Sequence, residues 1–233
     1  MDERYLAKRR EIESHFRTEN RLAETVVVHR SPSGLYELEV CQYATGPESW
    51  NYSRGLVRRR ADGALLADVK RNYGMFWHSW AGRPGEDEYL LCGEDYQGYS
   101  IIDLRTGACH IHFPEEGWKG LGFCWTAAYP SPDRQVLAVD GCVWAFPYEL
   151  VFFDFRQPER LPLPELDRVS NLWECKGWLD DDTFVYVAED EVRTADGVPL
   201  NQLSEDSIAE LARQPDAVTE RREFRVHVVS RPW

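Results

Sequence analysis

The sequence predicts an all-β fold built from four copies of one antiparallel meander, on three observations. Short apolar runs alternate with turns across residues 25–200. The residues that open each second strand, Leu35, Tyr89, Gln135 and Phe184, are separated by 54, 46 and 49 positions. The turns themselves recur in kind: Ser-Pro turns precede the second strands of the first and third units, and Asp-Gly or Thr-Gly turns precede the fourth strands of the first, second and fourth.

Residues 1–24 are rich in Arg, Glu and Lys, and Tyr5, Ile12 and Phe16 are spaced to share one helical face. They predict an amphipathic N-terminal helix lying against a single domain of residues 25–233. The first unit reads TVVVH, Ser31-Pro32-Ser33-Gly34, LYELEVCQY, a long connector (Ala44–Arg54), GLVRRR, Asp62-Gly63 and ALLADV. The second reads MFWHSW, a polar turn with Gly85 and Asp87, YLLCGED, the connector Tyr96-Gln97-Gly98, YSIIDL, Thr106-Gly107 and ACHIHF. The third has strands at Phe123–Tyr129, Val136–Val139, Glu149–Phe155 and a short outgoing one at Leu161–Leu163, with Ser131-Pro132-Asp133-Arg134 and Gln157-Pro158 as turns. The fourth reads LWECKGWL, Asp180-Asp181-Asp182, FVYVAED, EVRT, Asp196-Gly197 and VPL. Ser204 then caps a short helix that Pro215 ends, and Phe224–Val229 is a last strand placed to cover a sheet edge.

A period near 50 with four strands per unit is the mark of a β-propeller blade. The Ser-Pro-x-Gly/Arg turn followed by an apolar strand resembles the turns of WD40-like and TolB-like repeats over roughly residues 25–200. That resemblance implies a four-unit propeller-like ring. The Gly-His and Trp-Asp signatures of WD40 repeats are absent, so no WD40 partner carries over. A twisted β-sandwich built from the same meanders is the alternative, and the regular spacing favours the ring.

A net charge of −13 repels phosphate backbones and anionic lipid, which argues against nucleic acid and membrane and for a basic protein or a cationic ligand. No apolar stretch reaches transmembrane length and MDERYLAKRR lacks the apolar core of a signal peptide, so the expected location is cytoplasmic. The six cysteines show no C-x-x-C pair and read as reduced thiols in apolar runs.

In a radial stack of such meanders, the connectors between second and third strands share a rim with those between units. That rim gathers Trp50, Tyr52, Glu94, Asp95, Tyr96, Trp118, Asp140, Trp144, Tyr148 and Glu149, while the opposite rim has plain turns. Aromatic faces and carboxylates together suit a cationic group, although aromatics also fill gaps in all-β cores and loop carboxylates bond to backbone amides. The expected role is therefore a non-catalytic interaction protein using this face, an antidote to a basic toxin among the roles that fit. The alternatives are an enzyme or small-molecule sensor with a carboxylate-lined central pocket, and a structural subunit held by its N-terminal helix.

Chemical signatures are few. Asp95 and Asp140 would be the acid and base of glycoside chemistry, with no accompanying motif. His110 and His112 share a strand face beside Cys109, yet no second ligand pair accompanies them, so neither a metal nor any other cofactor is expected. His78 reads as a core histidine bonded to backbone. Cys124 and Cys142 read as inert through burial. G-x-S-x-G, G-x-G-x-x-G and G-x-x-x-x-G-K-[ST] are all missing.

Overall fold

A computed structural model describes residues 3–82, 87–93, 97–119, 122–143, 147–190, 198, 202–211, 213–214 and 223–230. The chain opens with helix α1 (Glu3–Glu13), and four strands then form the first antiparallel sheet in sequence order: β1 (Arg21–Arg30), β2 (Tyr36–Ala44), β3 (Asn51–Arg59) and β4 (Leu65–Arg71). The second sheet repeats the pattern with β5 (His78–Ala81), β6 (Tyr89–Gly93), β7 (Tyr99–Asp103) and β8 (Cys109–His112). The third is six-stranded and holds β9 (Cys124–Pro130), β10 (Val136–Cys142), β11 (Tyr148–Asp154), β12 (Glu165–Trp178), β13 (Thr183–Asp190) and β14 (Glu223–Ser230). Helix α2 (Glu205–Leu211) precedes β14, and the Ser204 hydroxyl accepts from the Ser207 N–H at 3.2 Å as its cap.

Turn chemistry repeats at the level of individual hydrogen bonds. Ser31 donates its N–H to the Tyr36 carbonyl and Ser131 does the same to Val136, at 3.1 and 2.8 Å. Gly34 and Arg134 close these turns at φ 72° and 62°, each donating its N–H to the serine carbonyl. Gly63 and Gly107 play the equivalent part in the Asp-Gly and Thr-Gly turns, at φ 72° and 77°.

Packing explains why the two central strands of the second sheet are buried without alternation. Leu90, Cys92 and Ile102 face Leu38, Val57 and Val69 of the first sheet, while Leu91, Tyr99 and Ile101 face Trp125, Leu137, Val139 and Phe153 of the third. Every residue of β6 and β7 is buried, because one core lies on each side. Tyr99 stacks on Trp125 at 4.0 Å, and the Leu163 N–H donates to the Tyr99 hydroxyl at 3.1 Å. Gly55 is required in the first core, since a Cβ there would lie 2.4 Å from the Phe76 ring.

A third core lies between the two halves of the six-stranded sheet. Along its ladder, β9 and β13 are four strands apart, about 19 Å if the sheet were flat. Tyr129 of β9 nonetheless meets Phe184 of β13 at 5.9 Å, and the Trp178 indole donates to the Tyr129 carbonyl at 2.8 Å. The sheet is therefore folded back on itself along β12. Residues 165–172 of that strand pair with β11 and residues 172–178 with β13, while Asn171, at φ 57°, turns the chain between them. Phe152, Phe184, Leu150 and Tyr186 fill the fold.

These findings correct several expectations. The ring of four separate units does not form: the third and fourth units share β12, giving sheets of four, four and six strands that do not close as a propeller. Three sheets also rule out a two-sheet sandwich. Leu161–Leu163 is not a strand; it belongs to the turn before β12, with Leu163 buried in the core between the second and third sheets. The N-terminal helix ends at Glu13 rather than 24, and Ile12 and Phe16 pack on Val26, Cys41, Tyr43 and Tyr52 of the first sheet. The last strand does cover an edge, pairing with β13 over its whole length. The expected strands EVRT and VPL lie outside the described residues, Val198 apart.

Candidate functional site

The β2–β3, β4–β5, β8–β9 and β10–β11 connections all emerge at one end of the stacked sheets, as the meander order requires. At this connector end Trp50 is 52% exposed yet fixed. Its indole N–H donates to the Asn72 carbonyl at 2.7 Å, and its ring lies 5.6 Å from Tyr73. The same connector is fastened from below: the Ser53 hydroxyl donates to the Tyr73 carbonyl at 2.6 Å, and buried Arg71 donates to the Met75 carbonyl at 2.8 Å while lying over the Tyr73 ring.

Asp140 follows Val136 and Ala138 on the β10 face that looks into the third core. Its Oδ1 is buried and accepts no hydrogen bond from the described residues. Burial disfavours the charged form and pushes the carboxyl up to about 6, opposed in part by the Thr126 hydroxyl. Burial likewise pushes Tyr129 up to about 12, helped by Cys175, Asp140 and Glu174, and it raises the Cys175 thiol. Tyr148 is raised by burial too, with the neighbouring Cys142 thiol and Asp140 adding to the shift.

Two of the expected site residues are already engaged. Glu149 pairs with Arg168, whose guanidinium also bonds Glu165 at 2.7 Å and lies 5.1 Å over the Phe123 ring. An external cation would have to displace that arginine. Tyr52 sits on the outer face of the first sheet, with its ring 5.0 Å from His15 and 6.1 Å from Phe16, so the N-terminal segment covers it. Trp118 falls in a short 3-10 turn (Glu115–Lys119), its side chain outside the described residues, as are Glu94, Asp95, Tyr96 and Trp144.

The sequence reading missed three exposed apolar residues at the same end: Met75 at 52%, Val143 at 39% and Trp173 at 57%. Met75 and Val143 lie in connectors, and Trp173 follows Leu172, which pairs with both Tyr148 and Ala188. Val143 was legible as a connector residue; Met75 and Trp173 were hidden inside the expected strands MFWHSW and LWECKGWL.

Two clefts lie away from this end. One, of about 450 Å³, opens among the opposite turns and is lined by Asp87, Tyr89, Asp133, Arg134, Phe155 and Arg156. The other, of about 240 Å³, lies on the outer face of the first sheet between Phe16, Arg21, Glu39, Tyr43 and Arg54. Among the described residues, no group of three or more His, Cys, Asp and Glu side chains converges as a metal site. His112 instead packs on Tyr99 at 5.3 Å, and His78 packs on His29 at 4.3 Å with its pKa pushed down to about 4 by burial and then by His29. Among the described residues, no helix is long and apolar enough to cross a membrane.

No family model matches the sequence. Uncharacterized protein R762 of Acanthamoeba polyphaga mimivirus is 32% identical over 203 residues, which cover 83% of this chain and 79% of that protein. Among solved structures, an AtxE2 isopeptidase in its apo form aligns with 91% of this chain at 15% identity and a TM-score of 0.30. The chain spans 28% of the length of that structure, a likeness too distant to inform fold or activity.

Proposed function

The chain belongs to the family of the mimivirus protein R762, and from that premise we propose that it is a binding protein whose connector end receives a basic protein partner. One observation carries the reading: Trp50 is half exposed to solvent while its indole N–H and ring are both held in place. An exposed indole that is already immobile loses little conformational freedom on docking, and tryptophan is the residue type that most often dominates an interface. Trp173 and Met75 are further exposed apolar groups at the connector end, and the net charge of −13 favours a cationic counterpart by long-range attraction. With Glu149 held by Arg168, that carboxylate contributes less than the sequence suggested, and the aromatic groups carry affinity while the overall field carries approach.

The test is affinity capture with chemical crosslinking from an extract of the source organism, comparing the full chain with Trp50→Ala and Trp173→Ala. A protein of basic isoelectric point that crosslinks to the connector end and loses at least about tenfold in affinity with each variant supports the reading. Identical capture by wild type and both variants overturns it. The enzyme or sensor alternative draws on Asp140, a half-buried carboxyl with a buried Oδ1, pushed up to about 6. Native mass spectrometry showing a small molecule retained by wild type and lost with Asp140→Asn would favour that alternative.

A further inference from the structure

The β9–β10 ladder sets two thiols face to face. Cys142, the last residue of β10, is the register partner of Cys124, the first residue of β9. This pairing depends on a bulge. Asp140 opposes Ala127, whereas Gly141 opposes Trp125, so Thr126 is the extra residue. Without that slip Cys142 would face Trp125. Gly141 makes the slip possible, because a Cβ there would lie 2.3 Å from the Cys124 carbonyl oxygen.

Opposed residues of an antiparallel pair project to the same side with Cα atoms about 4.5–5.5 Å apart. A disulfide takes Cα separations of about 4.4–6.8 Å, so the ladder already supplies the required spacing. Neither residue is in a disulfide, both are buried at 9% and 6% exposure, and the Cys124 thiol donates to the Gly122 carbonyl at 3.8 Å. Of the other four, Cys41 opposes Arg54, Cys92 opposes His78 and Ser100, Cys109 opposes Ile102, and Cys175 opposes Tyr186, so none has a cysteine across its described ladder.

We infer that Cys124 and Cys142 are an oxidisable cross-strand dithiol, a modification site for a small peroxide. One sulfur attacks a peroxide oxygen, the O–O bond breaks, and a sulfenic acid and one water form. The second sulfur then attacks the first; the S–S bond forms, the S–O bond breaks and a second water leaves. Hydrogen peroxide is reduced by two electrons, and the two thiol protons end in the two waters. Burial excludes bulky disulfides from this step. The thiols stand at strand ends, where opening the last ladder pair admits a peroxide without disturbing the core.

The experiment treats the folded full-length chain with hydrogen peroxide, alkylates the remaining thiols and maps the peptides by mass. The expected result is a linked Cys124–Cys142 peptide, two of the six thiols lost to alkylation, and recovery on adding dithiothreitol. Cys124→Ser or Cys142→Ser should abolish the link and leave a dimedone-reactive sulfenic acid on the remaining partner, with the alanine variants as replacements should serine disturb the buried site. Retention of both thiols while exposed Cys109 is oxidised overturns the inference, as does a link joining any other pair. Peptide mapping of the wild type decides this without any variant.

Discussion

Replacing Asp140 by asparagine should stabilise the protein at neutral pH and remove one pH-dependent contribution to its folding. The carboxyl moves from 3.8 to about 6, chiefly because burial opposes its charge. At about 1.36 kcal/mol per pKa unit this amounts to roughly 3 kcal/mol for a fully dry group. Asp140 is half-buried, so solvent screening reduces the figure to roughly 1–2 kcal/mol. The folded state holds the proton more tightly than the unfolded chain does. The group's favourable contribution is therefore complete below about pH 4 and is lost as pH rises through about 6. Asp62, Asp103, Asp154 and Asp180 are shifted downward and act in the opposite sense, contributing stability above the unfolded value and losing it in acid. A difference between variant and wild type cancels their effect. Urea unfolding followed by tryptophan fluorescence between pH 4.5 and 7.5 should show the two proteins converging in acid, with Asp140→Asn ahead by roughly 1–2 kcal/mol at pH 7.5. A pH-independent difference, or a variant less stable than wild type at pH 7.5, would refute the account of Asp140 as a desolvated carboxylate facing Thr126, Tyr129, Tyr148, Glu174 and Cys175.

Two further substitutions test the folded-back sheet. Asn171→Val places a β-branched residue at φ 57° and should cost about 1–3 kcal/mol, whereas Asn171→Gly should be near neutral; equal effects on the urea midpoint would show that the bend does not depend on this backbone position. Phe152 is fully buried between Phe184 at 5.6 Å and Trp178 at 6.3 Å. Its replacement by alanine should cost about 3–5 kcal/mol in the same assay and raise amide exchange in β13 before β6, while uniform loss of protection would contradict a separate third core.

Local chemistry was legible in the sequence wherever a single residue type fixes the backbone. The Ser31 and Ser131 turns and the glycine turns at Gly63 and Gly107 form where the repeat placed them, because a serine hydroxyl or a left-handed residue closes each one regardless of what packs around it. What the sequence concealed lies at β12. The polar stretch Asp167-Arg168-Val169-Ser170-Asn171 reads as a connector, yet Asn171 tolerates the left-handed conformation that lets one strand serve two half-sheets. The error in the site has the same origin. Glu149 looked free because Arg168 seemed to lie in a loop; once β12 begins at Glu165, Arg168 opposes Val151 and its guanidinium reaches both Glu149 and Glu165. Tyr52 follows a different rule: its strand was foreseen in part, but only the path of the N-terminal segment decides that His15 and Phe16 cover it while Trp50, two residues earlier, stays open. The one-residue bulge at Thr126, which brings Cys142 opposite Cys124, is equally silent in the sequence. Three of these four outcomes turn on backbone register rather than on composition. The charge and chemistry of the connector end are therefore set by where strands slip or bend, and Asn171 and Gly141 matter to the site as much as the residues that line it.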